Sequence, residues 1–348
     1  EFSVGPYQRE VIRPGMLGTF EDLVSSVTTS WPMIHHLDNS ESIGPSSKMA
    51  QWRERKGKVA TINENHAREL LELHTVSPRA KYSQNDVMQL SYIMTGWEHE
   101  YTDTRLECNP VRFNWEKHER GSQFVLGHEI AYRDNSSRNK LFDVIKILSN
   151  HEACRNFICK KLCQHFITDQ PTDDMIRPIA KTWEKSGGNL PDVHEAVIRE
   201  AYRYAPYYKK FVMPETWFLQ MARIGGLSWP PTVREMKYNF DFKPSAAQRR
   251  PENILRELGH NPFRPAQPNG FPDTEKEWLS PELLIRRLVV ARKASTQLNG
   301  SLIEKDKLNE LIARNFDNQD QIFNSVRKLD RPVDRFVMLF CGPWMLKS

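Results

Sequence analysis

The chain has 348 residues, 39% of them hydrophobic and 27% charged, with a formal net charge of +5. That balance suits a soluble globular protein with a real core, in one large domain or two, and the small, dispersed charge makes no case for nucleic acid. No run approaches the roughly 18 apolar residues of a membrane span, and the five cysteines (Cys108, Cys154, Cys159, Cys163, Cys341) have neither zinc-knuckle spacing nor the pattern of a disulfide framework.

No secretory signal opens the chain, whose abrupt start at Glu1-Phe2-Ser3 reads as a junction or a processing point. Residues 5–27 read as a turn and an amphipathic helix. Trp31-Pro32 then leads into HHLDNSESIGPSS, which offers His35, His36, Asp38, Asn39, Glu41 and Ser42 in close succession. Such oxygens and imidazoles suit a hard or borderline cation, and equally an Asx-capped turn before a loop.

Residues 61–75, TINENHARELLELHT, are the stretch around which the rest is organised. On a helical wheel Glu64, Arg68 and Glu72 stack at i, i+4, i+8, with Asn65 and Glu69 beside them. Ala67, Leu70, Leu71 and Leu73 fill the other arc, and Asn63, His66 and His74 intrude on it. A buried polar group without a partner costs roughly 1–3 kcal/mol, so these side chains either complete a core network or line a pocket. The Glu–Arg–Glu row by itself is also an ordinary surface ladder.

Ser83-x-x-Asp86 has capping-box spacing and opens a helix with Val87, Leu90 and Met94 on one face. Alternation over 111–133, with Arg120-Gly121 as the turn, predicts a β-hairpin. A helix follows at 141–148, and Ser149-x-x-Glu152 has the capping spacing for the next, 151–167. There Cys154, Ile158, Leu162 and Phe166 make the apolar arc, Arg155 lies inside it, and Lys161 and His165 share its edge. An Arg and a His so placed need carboxylates, for which Glu69, Glu72, Asp38 and Asp169 are the candidates. Cys159 and Cys163 could share a metal but read better as small buried thiols.

Helices at 173–183 and 191–204 are separated by Gly187-Gly188. The run AYRYAPYYKKF mixes aromatics with Arg203, Lys209 and Lys210; single-strand nucleic-acid binders show such mixtures, but one isolated run reads as a helix end with snorkelling bases. Met213-Pro214-Glu215 restarts a helix to 224. Residues 228–281 are proline-rich and irregular, with Trp229, Tyr238, Phe240, Phe263, Phe271 and Trp278, and are expected to wrap the helical core and wall a pocket. A helix at 281–294 and two or three more in the tail complete the chain. P-loop, dinucleotide and GxSxG motifs are absent, and the zincin-like starts His128-Glu129 and His151-Glu152 have Tyr132 and Arg155 where a second histidine belongs.

NENHARELLELHT resembles the NENYARELLELHT signature of the bacterial family called domain of unknown function 1800. The similarity continues through GPYQREVIRPGMLGTFEDLV, Leu37-Asp38-Asn39, YSQNDV, Thr95-Gly96-Trp97, HEACRNFICKKLCQHFITDQP (similar to the family's HPATARFIAxKLxRHFVxDxP) and NPFRPAQPNGFPDTEKEW. It spans roughly residues 5–292, in order. His118 and Gly127 fit the family's F…H…K…LG sense, whereas Gln123 stands where a lysine is usual. The family's customary upstream helical segment, with its FWHNHF motif, is not in this sequence, and the tail ends in LFCGPWM where a SPEFQ-like close is usual. The resemblance implies an envelope-associated process, periplasmic or at the cell envelope, and a sulfatase-like partner protein.

The expected fold is mainly α: a single large helical domain over 1–295 with a β-hairpin insertion near 111–133 and a long Pro-rich wrapping loop near 228–281, then a C-terminal helical extension, 296–348, packed on it. Two functions stay open. One is an extracytoplasmic, hydrolase-like enzyme with Glu69, Glu72, His74 and His165 as catalytic groups in a pocket between two helices. Asp38, Asn39, Asn63, Arg68, Arg155, Lys161 and Asp169 would be its binding residues, with metal and cofactor left unspecified. The other is a non-catalytic helical binding or assembly module acting with a partner. Both rest on helices 61–75 and 151–167 packing side by side, with His74 and His165 near Glu69, Glu72 or Asp38.

Overall fold

The computed structural model describes residues 4–99, 110–132, 137–225, 251–261, 264–265, 269–297, 305–316 and 319–347. Cys108, Trp229, Tyr238, Phe240 and Phe263, and with them a large part of the expected wrapping loop, lie outside the described residues. What is described is mainly α-helical, with strands of only three residues each. The chain divides into two compact units: Glu1–Cys163 with Pro171–Arg203, and Gln164–Gln170 with Tyr204–Ser348. No helix among the described residues is long and apolar enough to cross a membrane.

In the first unit, local chemistry sets the helix ends. Phe20–Thr28 starts at a reciprocal box in which Thr19 Oγ1 accepts from the Asp22 amide and Asp22 accepts from the Thr19 amide. The Ser83–Asp86 box forms as the spacing predicts, opening Gln84–Met94, which buries Val87, Leu90 and Met94. The box expected at Ser149 does not form. Ser149 falls inside the last turn of Lys140–Asn150, and His151 caps Glu152–Phe166 instead, its Nδ1 accepting from the Ala153 amide at 3.0 Å. The phase of that helix differs as well. Cys154, Cys159 and Cys163 are its fully buried residues, whereas Phe166 is 57% exposed. Small thiols let a neighbouring backbone approach, and the Cys163 thiol reaches the Met175 carbonyl. At Gly187 the backbone turns left-handed (φ 64°) and the Gly188 amide bonds back to the Trp183 carbonyl, the expected stop.

The hairpin expected across 111–133 resolves into two ribbons. Trp97–His99 (β1) pairs antiparallel with Val111–Phe113 (β2), and Gln123–Val125 (β3) with His128–Ile130 (β4). The tight turn is Leu126-Gly127, both at positive φ (49° and 77°), the geometry of a two-residue type I′ turn. A leucine is an unfavourable choice there; its amide is held by the Asp86 carboxylate at 2.7 Å.

The second unit is built on Pro214–Ile224, Pro251–Glu257, Pro281–Gln297, Lys305–Asn315, Gln319–Val326 and Pro332–Cys341. Trp217, Met221, Leu258, Ala291, Ile312, Ile322, Val326 and Phe340 share its core. The stretch 228–281 is less irregular than expected, since it contains Pro251–Glu257 and Glu275–Trp278. The first of these carries Ile254 and Leu255, with Leu258 directly after its end, and all three are buried.

Candidate functional site

The signature stretch begins as a helix at Asn65, four residues later than a helix over all of 61–75 would. Asn63 explains the start, because its Oδ1 accepts the Asn65 amide at 3.0 Å while its own amide and carbonyl are held by the Ser42 hydroxyl. After Glu69 the helix widens into a π turn, Leu70–His74. Leu70 and Leu71 are wholly buried and anchor it, with Thr75 Oγ1 donating to the Leu70 carbonyl at 2.6 Å. A π turn inserts a residue into the helical repeat, so Glu72 and His74 leave the positions an α wheel assigns; such turns recur at functional sites.

The ladder closes on itself at one end. Arg68 Nη2 donates to Glu64 (2.5 Å) and to Gln84 Oε1 (2.9 Å), and Gln84 Nε2 donates back to Glu64 (2.6 Å). Glu69 and Glu72 stay outside that ring. Glu72 accepts from the Tyr82 hydroxyl at 3.2 Å. Burial, and then the charge on Glu72, raise the Glu69 carboxyl above its ordinary value, while Arg68 and His36 pull the other way. Burial, and then Glu72, likewise raise the Tyr82 hydroxyl, so it stays protonated and donating at neutral pH. His74 is held neutral, its imidazole pushed down to about 4 by burial and by the Lys161 charge, and its Nδ1 has no partner among the described residues. His66 is buried deeper, at about 3, with both ring nitrogens unpartnered among the described residues.

The other expected site residues are distributed as follows. Asn39 is buried, and its Nδ2 donates to the Met94 and Trp97 carbonyls, a structural tie. Asp38 is exposed in a left-handed conformation (φ 53°). Lys161 is exposed, and its charge acts on His74. Arg155 meets a carboxylate, Glu184 at 3.7 Å, which was not among the four candidates. His165 and Asp169 belong to the second unit. There His165 Nδ1 lies 3.2 Å from both oxygens of Asp273, and Asp169 accepts from Lys210 and from the Glu275 amide. Among the described residues no group of three or more His, Cys, Asp or Glu is placed to hold a metal ion.

Sequence reasoning missed Tyr82, Gln84 and Asp273. The first two sit in the KYSQND run directly after the signature, where a polar cluster following a polar-faced helix was the available signal. Asp273 had none, since 108 residues separate it from His165.

These features define a mainly α-helical protein in which half-buried Glu69 ends a helix and Glu72, bonded by the Tyr82 hydroxyl, sits on the π turn that follows. The chain belongs to the family described as Protein of unknown function (DUF1800), whose model matches residues 1–345. No curated protein and no solved structure matches it.

Proposed function

We propose that the protein is a hydrolase-like enzyme in which Glu69 and Glu72 work as an acid–base pair. The observation that carries this reading is the contrast between the two carboxyl groups. Glu69 is half-buried, has no hydrogen-bonded base among the described residues, and is raised above its ordinary value by burial and by the Glu72 charge, the direction a general acid needs. Glu72 lies within its electrostatic reach and is oriented by the Tyr82 hydroxyl. His74 stands beside them in the same stretch, held neutral, with a buried Nδ1 that has no partner among the described residues. Glu69, just before the π turn, and His74, at its end, are both perturbed, and such turns recur at functional sites. The reading rests on the first unit; His165 and Asp273 belong to the second.

The test is a panel of ester, phosphate, sulfate and glycoside substrates assayed with the full chain and with Glu69→Gln, Glu72→Gln and Tyr82→Phe. Turnover should fall by about 100-fold or more for either glutamine variant, and less for Tyr82→Phe, with folding unchanged. Full turnover in Glu69→Gln would end the proposal.

A second reading, a binding or assembly module, is favoured by Ile198 and Tyr202, which are 55% and 79% exposed at i, i+4 on Leu190–Tyr204. A sulfatase-like partner at the cell envelope would fit it. Capture of such a protein that is lost in Ile198→Glu, with no turnover on any substrate, would favour this reading over the first.

A further inference from the structure

Two imidazoles from distant parts of the first unit meet at its surface. His35 lies in the last turn of Trp31–His36, and His99 ends β1, 64 residues further on. His35 Nδ1 is 3.3 Å from His99 Nε2, the ring centres are 5.1 Å apart, and the ring planes stand at 71°. A straight N–H···N bond of that length would put the centres about 5.6 Å apart, so the rings are not in line, and a hydrogen bond weakens as it bends. Two imidazoles on one tetrahedral ion, each at about 2.0–2.1 Å, have their nitrogens about 3.3 Å apart and their centres about 5.2 Å apart. The pair has this second geometry.

Groups around the pair hold it in place. Trp31, one turn before His35, stacks on that ring at 5.1 Å with 8° between the planes, and the same indole meets His99 edge-on at 6.2 Å. The His99 amide donates to Ser40 Oγ at 3.1 Å. His35 is exposed and His99 half-buried, so solvent reaches both. Burial, and then the His35 ring and Lys117, lower the His99 imidazole below its ordinary value against the pull of Glu98 and Asp38, which leaves it a lone pair at neutral pH. Lys117 is paired with Glu98 at 2.5 Å, whereas Asp38 is exposed.

We propose that His35 and His99 bind one divalent transition-metal ion of the zinc type, between Nδ1 of the first and Nε2 of the second. Imidazole ligands suit zinc, nickel and copper, whereas magnesium and calcium take oxygens. Among the described residues no third His, Cys, Asp or Glu is placed to join them. Water therefore completes the shell, and the ion is exchangeable, unlike one in a closed structural centre. The Asp38 carboxylate adds attraction for a cation from outside the shell. The site does not depend on the role of Glu69 and Glu72.

The full chain, stripped with a chelator, is titrated with zinc near pH 7.5 against a chromophoric indicator. One ion should bind per chain in the micromolar range, and a large excess of magnesium should not displace it. His35→Gln and His99→Gln should each weaken binding by about tenfold or more, whereas His128→Gln, at an exposed histidine on β4, should not. The native chain is also treated with diethyl pyrocarbonate and mapped by mass spectrometry. Zinc should protect His35 and His99 and leave His128 reactive. The same zinc affinity in both variants as in the native chain would overturn the proposal, as would no micromolar binding. If neither variant folds, the mapping decides, and equal protection of all three histidines, or of none, would show an ordinary hydrogen-bonded pair.

Discussion

Replacing His66 with phenylalanine should flatten the acid limb of the stability curve by about 1.4 kcal/mol between pH 7.5 and 5.5. The imidazole is 1% exposed, both nitrogens lack partners, and burial holds it at about 3. In the unfolded chain the same group titrates near 6.5. Below that value the unfolded state binds the extra proton, so stability is full above about pH 6.5 and falls as pH drops toward the native value. Each pH unit within that window costs about 1.4 kcal/mol. His74 and His118 behave alike down to about pH 4, since burial pushes both to about 4. His118 is fixed as the Nδ1–H tautomer by the Thr95 carbonyl at 2.8 Å, which leaves Nε2 as a buried lone pair. Together the three remove roughly 4 kcal/mol by pH 5.5, a large share of a typical total of about 5–15 kcal/mol. Urea unfolding of the native chain and of His66→Phe at the two pH values measures the difference. Parallel pH dependence in the two chains would show that His66 is not a buried neutral imidazole.

Arg155→Met should cost less than about 0.5 kcal/mol and Arg155→Ala about 1 kcal/mol, because the partner Glu184 is 65% exposed and only the arginine stem is packed; urea unfolding that finds about 3–5 kcal/mol would mean a buried pair after all. Gly44→Ala should destabilise by about 1–3 kcal/mol through overpacking. A Cβ there would meet the Glu119 Cα and amide nitrogen at 2.6 Å, and the Gly44 amide bonds the Lys117 carbonyl at 2.8 Å, so neither backbone can easily retreat. An unchanged thermal midpoint would show the two segments further apart.

Much of the fold was legible because caps and stops are local chemistry. Ser83–Asp86, Gly187-Gly188 and Met213-Pro214 need only their own neighbours to act, and all three mark boundaries where spacing put them. The failures share a cause. Ser149 has the right spacing to cap the helix after it, but the helix before it runs through to Asn150 and takes that residue for its own last turn. At the hairpin, Arg120-Gly121 looked like the turn because glycine tolerates positive φ. The actual turn places Leu126 there, with the distant Asp86 carboxylate holding its amide, which no local rule weighs.

The site was legible as a set of exceptions and not as a set of partners. His66, His74 and Arg155 break the apolar pattern of their helices, and the first two are indeed in dry surroundings. Who meets them depends on the π turn, which voids the 100° wheel beyond Glu69, and on residues far along the chain. Arg287, 2% exposed on Pro281–Gln297, shows that the same reasoning could have gone further. It stands next to Arg286, and composition treats the two alike. Their spacing does not: Val290, Ala291 and Ala294 follow Arg287 at i+3, i+4 and i+7, and all three are buried, so Arg287 lies on the apolar stripe. Arg286 instead has Glu282 four residues before it and stays on the surface. An arginine in register with small apolar residues is a stronger signal of an unmet charge than a histidine in the same place, because arginine cannot shed its proton.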